Sequence, residues 1–189
     1  MLASIAKQAF SYLAVDYGMQ IVIANDKVVR FESPSVFVQI RFDHDRSYEL
    51  GVELGLIDTE DRHGPPFNLV EVMREKHAPE ADYVAHLQMS SSIVDPVAAN
   101  KLALFLRYYA RDLLEGNSMG FAKIASRRNS EVLEYDHARR LRLALAESDN
   151  AWESLDFARV AQLLEPFLSS LSPAQKLRLK IAKTRSDNR

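Results

Sequence analysis

Between residues 19 and 56 the chain alternates. Val36, Val38, Ile40 and Phe42 fall on one side of an extended backbone, and Phe37, Gln39 and Arg41 fall on the other. After a polar break at 43–47 the alternation resumes: Tyr48, Leu50, Val52, Leu54 and Leu56 oppose Glu49, Gly51, Glu53 and Gly55. A period of two over this length predicts a half-buried sheet with one dry face and one wet face. Upstream, residues 19–24 and 27–32 predict two further strands, joined at Asn25-Asp26, a pair that tolerates positive φ in a tight turn. Ser33-Pro34 ends the second strand, because proline has no N–H to give a ladder. Residues 4–15 precede the strands and place Ile5, Ala9, Tyr12 and Leu13 on one helical stripe, with Gly18 as a left-handed stop.

From Asn68 onward the pattern is helical, and these helices are the expected cover for the dry face. Asn68 and Glu71 form a capping pair for a helix reaching about Lys76 and burying Leu69, Val72 and Met73. Residues 83–89 fit either a fifth short strand or an approach to the next helix. Asp95-Pro96 marks a helix start, since aspartate caps and proline suits the first turn. That helix is expected to run to Glu115, stop at Gly116, and bury Leu102, Phe105, Leu106, Tyr109 and Leu113. Tyr108 lies off this stripe and is a candidate for the rim of a partner site. Residues 118–148 read as helix with an interruption near 128–130; 150–153 begin another, which Pro166 kinks or ends. Ser172, Pro173 and Gln175 start the last helix, expected to turn Leu177 and Ile181 inward. The expected architecture is α+β: an N-terminal helix, a four-stranded antiparallel meander and a helical C-terminal half on one sheet face. It is read as one domain over 1–189, with 1–94 mainly sheet and 95–189 helical.

Composition narrows the class. The 189 residues are 47% hydrophobic and 26% charged, values that point to an ordinary globular chain. No apolar run approaches the roughly 18 residues of a membrane span, and the first residues read as a helix rather than a signal peptide. With no cysteine, thiolate chemistry and disulfides are excluded, and a cytoplasmic home is expected. The charge is uneven: 1–120 carries 11 Lys/Arg against 17 Asp/Glu, whereas 121–189 carries 13 against 9. The acidic excess concentrates in 43–82, with 11 acids and 4 bases.

The run VVRFESPSVFVQIRFDHDRSYELGVELG, followed by PPFNLVEVM, resembles a family of short uncharacterised bacterial α+β proteins. The later runs LALFLRYYARDLLEGN and AWESLDFARVAQLLEPFLSSLSPAQKLRLKIAK are similar to that family's helical half. More loosely, the chain resembles bacterial toxin-immunity proteins, which bind and block a cognate toxin. That likeness implies a protein partner and carries no catalytic residue over.

Candidate chemistry is sparse. His44, His63, His77, His86 and His137 never recur at helical spacing, so no paired metal ligands are predicted. Asp43-His44-Asp45 is the closest approach to a ligand cluster, but in a hairpin connection such residues serve the turn. Glu49 and Glu53, four residues apart on one strand, would stand roughly 13 Å apart, too far for most paired-carboxylate chemistry. No glycine-rich phosphate loop and no nucleophile elbow is present. The expectation is therefore a non-enzymatic interaction protein without cofactor or metal. Glu49, Glu53, Asp58, Glu60 and Asp61 would present an acidic surface to a basic partner. The alternative is a nucleic-acid-binding accessory protein using Arg139, Arg140, Arg142, Lys176, Lys180 and Lys183. A hydrolase with a cleft between sheet and helices is a third class with no nameable residues.

Overall fold

The computed structural model describes residues 1–57 and 65–187. Their contacts divide the chain into two units, Met1–Arg128 and Asn129–Arg189. The helices expected to belong with the far half, up to Arg128, thus group with the sheet.

The first unit is α+β. Helices α1 (Leu2–Ala9) and α2 (Ser11–Tyr17) lead into five antiparallel strands: β1 (Gln20–Ala24), β2 (Val28–Glu32), β3 (Val36–Phe42), β4 (Leu50–Leu56) and β5 (Phe67–Asn68). They lie in the order β1-β2-β3-β4-β5, so the expected meander is present and a fifth strand extends it. That strand is Phe67–Asn68, pairing Leu54 and Glu53, and not residues 83–89. Two residues are too few for a periodic signal, and Asn68 doubles as the cap of the next helix. Within 83–89, Gln88 forms only an isolated bridge to Glu49, after the short helix α4 (Ala81–Ala85).

The dry face is built in rows. Phe31, Val38, Leu54 and Phe67 align across β2 to β5, and Val29, Ile40 and Val52 align beside them. All seven are buried. Helices α1, α3 (Leu69–Glu75) and α5 (Pro96–Tyr109) supply the cover, contacting β2, β4 and β4 respectively. The capping box at Asn68 and Glu71 forms as expected, with Leu69, Val72 and Met73 buried. Asp95 caps α5 through the Val97 N–H at 2.8 Å.

Several local expectations need correction. The N-terminal helix breaks at Phe10, and its buried set is Leu2, Ala6, Phe10 and Leu13; Ile5, Ala9 and Tyr12 are only half-buried. Gly18 is the left-handed stop, φ 64°. The β1–β2 connection uses no positive φ at Asn25 or Asp26. Instead the Asn25 side chain accepts from the N–H groups of Lys27 and Val28, a side-chain-made turn. The helix from Pro96 stops at Tyr109, and a separate turn, α6 (Arg111–Leu114), precedes Gly116 (φ 88°).

Helix α7 (Ser118–Glu153) runs without a break at 128–130. That point is where the contacts divide, not where the helix ends. Residues 150–153 close α7 rather than open a new helix; α8 (Phe157–Leu164) starts beyond Leu155, capped by Asp156. Pro166 opens a 3-10 turn over Glu165–Ser170, ending α8 as expected. The last helix, α9 (Pro173–Asp187), carries the predicted Ser172–Gln175 capping box. Its inward residues are Leu179 and Ala182, whereas Leu177 is exposed and Ile181 half-buried. The second unit's core gathers Ala144, Ala151, Phe157, Val160, Leu164, Phe167, Leu171, Leu179 and Ala182.

Candidate functional site

Behind the dry face, the opposite side of the sheet carries rows of mixed character. Arg30, Gln39, Glu53 and Asn68 align across β2 to β5; Glu32, Phe37 and Gly55 align on one side of them, and Val28, Arg41 and Gly51 on the other. This face is not uniformly wet. Phe37 is 0% exposed, because the Arg30 guanidinium lies 3.8 Å from its ring centroid and Gly55 leaves room beneath it. A methyl group on Gly55 would meet the Phe37 ring at 2.8 Å, which is why a strand glycine is required there. Arg30 also pairs with Glu32 at 2.7 Å. Glu53 is half-buried, accepts a hydrogen bond from Gln39 and lies 3.7 Å from Arg41. This residue is held by its neighbours rather than offered to solvent.

Toward the β3–β4 connection the same face opens into a cleft of about 370 Å³. Val28, Arg41, Gly51 and Glu53 form its floor, and Lys27, Asp43, His44, Asp45 and Glu49 form its rim. Gly51 opens it, since nothing lies within 4 Å of where its side chain would begin. Asp43 shapes the rim as the sequence predicts, accepting from the N–H groups of Asp45 and Arg46 at 3.2 Å and from the Ser47 hydroxyl at 3.1 Å. Tyr48 takes the left-handed conformation (φ 52°), and its carbonyl accepts from Met89 N–H at 2.8 Å. These bonds present Glu49 at the edge. Among the described residues its exposed carboxylate has no hydrogen-bond or ion-pair partner.

The rim's charges are tuned by neighbours. Lys27 donates to Asp45 at 2.8 Å, lowering the carboxyl pKa and raising the ammonium pKa. Partial loss of hydration pushes Asp43 upward, but hydrogen bonds from Ser47, Asp45 and Arg46 outweigh it and leave the group below its ordinary value. His44 stacks on Phe42, its Nε2 lies 3.2 Å from Asp45, and its Nδ1 is buried without a partner among the described residues. Among the described residues no group of three or more His, Asp or Glu side chains could hold a metal ion. The chemistry on offer is recognition of positive charge: four carboxylates against one ammonium, one guanidinium and one imidazole.

Of the predicted acidic surface, Glu49 and Glu53 therefore share one cleft, while Asp58, Glu60 and Asp61 lie outside the described residues. The predicted basic set falls in the second unit. Arg139, Arg140, Arg142, Lys176 and Lys180 are exposed; Lys183 is half-buried and paired with Glu165. Arg140 lies over the Phe167 ring at 5.9 Å. The second unit holds ten Lys/Arg against nine Asp/Glu, because Lys123, Arg127 and Arg128 belong to the first. Arg128 is there committed to Glu71 and to the Pro65 and Pro66 carbonyls, a cluster with no sequence signal because its members lie some sixty residues apart. Two clefts flanking Tyr108 were also foreshadowed only by that residue's place off the buried stripe.

Compared with known protein families, curated proteins and solved structures, the chain matches none. No helix among the described residues is long and apolar enough to cross a membrane.

Proposed function

We propose that the protein is a non-enzymatic, cytoplasmic binder of a basic protein partner, in the manner of an inhibitor or immunity protein. The partner's lysines or arginines would enter the cleft at Glu49 and Glu53. What supports this reading is the exposed Glu49 carboxylate, without a partner among the described residues, at the mouth of a cleft whose lining is acidic overall. Complementary charge of this kind speeds encounter and rejects like-charged competitors. Glu49 is also the cleaner place to test it, since Glu53 is tied into the sheet through Gln39 and Arg41. Capture of basic partners from the native host should be lost at low salt with Glu49→Lys, and the variant's thermal unfolding should be unchanged. Undiminished capture by a folded Glu49→Lys protein refutes the cleft as the docking place.

A second reading, nucleic-acid binding through the second unit, is favoured by one observation. Arg139, Arg140, Arg142, Lys176 and Lys180 are exposed, and among the described residues none has an acidic partner. It requires affinity for a DNA duplex that falls steeply with salt and drops when Arg139 and Arg142 become glutamine. A flat titration at low ionic strength eliminates it.

A further inference from the structure

Four carboxylates line the sheet cleft, and two of them are engaged by the fold itself. Asp43 accepts from the N–H groups of Asp45 and Arg46 and from the Ser47 hydroxyl. Glu53 accepts from Gln39 and lies beside Arg41. Glu49 has no hydrogen-bond or ion-pair partner among the described residues. Asp45, the fourth, already holds a cation of its own chain. The Lys27 ammonium donates to one of its oxygens at 2.8 Å, while His44 Nε2 lies 3.2 Å from the other.

The Lys27 backbone is fixed. Its N–H and that of Val28 donate to the Asn25 side chain at 2.9 Å, and its carbonyl accepts from the Phe42 N–H at 2.9 Å. The side chain beyond is 65% exposed, and that of Asp45 is 59% exposed, so the pair is solvated. Exposed pairs of this kind add little to stability, because water receives the separated charges almost as well. The ammonium can therefore leave Asp45 without disturbing the turn that carries it.

We propose that Lys27 is a tethered stand-in for a lysine of the partner: it occupies Asp45 in the free protein, an incoming ammonium displaces it, and the partner is then gripped by Asp45 and Glu49 together. This rests on the cleft's being the docking place of a basic protein and adds what governs entry to it. The cation already seated there is a compact point charge with three donors, the same group that a partner's lysine would bring. Exchange at Asp45 is therefore nearly neutral, and the net gain comes from Glu49. Because Lys27 is tethered, it competes at an effective concentration on the order of millimolar. An isolated cation in solution loses to it. A partner with clustered lysines, reaching Glu49 and Asp45 in one encounter, does not.

The experiment titrates the full chain, labelled with nitrogen-15, with a capped hexalysine peptide at low ionic strength and follows the lysine Nζ resonances. The Lys27 signal should move to the position of a free lysine as the peptide saturates, whereas ethylammonium at equal amine concentration should leave it in place. Lys27→Gln should bind the peptide about two- to fivefold more tightly, the range of an exposed ion pair. Lys7→Gln, the same change of charge on α1 across the sheet, should not, and adding Asp45→Asn to Lys27→Gln should erase the gain. Four results overturn the displacement: no gain with Lys27→Gln, an equal gain with Lys7→Gln, a Lys27 signal unmoved at saturation, or one moved equally by ethylammonium. If Glu49→Lys still abolishes peptide binding, those results leave the docking place standing. A peptide bound by neither the wild type nor Lys27→Gln overturns both.

Discussion

The two faces of the sheet are held by different physics. On one, Phe31, Val38, Leu54 and Phe67 run as an unbroken apolar row beneath helices, and stability there follows the area removed from water. On the other, the single large ring, Phe37, is closed off by a guanidinium above and a glycine across the ladder. Arg128 repeats the device, lying 4.3 Å from the centroid of Phe67 while bonding Glu71. A charged residue in this protein is thus as much a lid over an aromatic ring as a solvated surface group. Among the described residues, the polar face opens into a cleft near the β3–β4 connection, away from this closed-off ring.

The comparison predicts a ranked series of losses. Leu54→Ala, in the middle of the apolar row, should cost about 2–5 kcal/mol in urea unfolding. Gly55→Ala should cost about 1–3 kcal/mol, since its new methyl group must displace the Phe37 ring. Combining it with Phe37→Leu should recover part of that loss, and a double variant no better than the single would break the interlock. Arg128→Met should cost about 1–3 kcal/mol, because the Glu71 carboxylate loses two charge-assisted bonds and two proline carbonyls lose their donor.

The smallest effect belongs to the rim of the cleft. Asp43 and Asp45 have lowered pKa values in the folded protein. Their contribution to stability is therefore present above the unfolded carboxylate value of about 3.9 and lost as pH falls through the lowered folded values. Asp45→Asn should slightly lower the neutral portion of a stability-against-pH curve, leave its most acidic end unmoved, and so flatten the acid limb between them. An unchanged acid limb would mean that the Lys27 pair does not tune this carboxylate.

Much of this was legible in the residues. Strands β1 to β4, the α3 and α9 capping boxes, the Asp95 start and the Asp43 turn all rest on local rules, and each formed where those rules placed it. What escaped depended on partners distant in the chain. Periodicity assigned Phe37 to solvent because it counts positions and not the arginine on the adjacent strand that would cover it. Two residues of β5 carry no period at all. The stripe of α1 was misplaced by one position, since Leu2 and Ala6 become central only once α5 packs against them. The pairing of Glu49 and Glu53 in one cleft was half-visible. Their shared strand face could be read, but the bonds that immobilise Glu53 could not.

The stretch of α7 from residue 131 to 140 is exposed at every position, though the helix passes through it unbroken. Those turns bury no side chain and persist on intrinsic propensity, their own carbonyl-to-amide ladder and the contacts of His137 and Arg140 with the Phe167 ring. In deuterated buffer their amides should exchange far sooner than those around Phe121 or Ser148, so that a single continuous helix would show two slow ends and a fast middle.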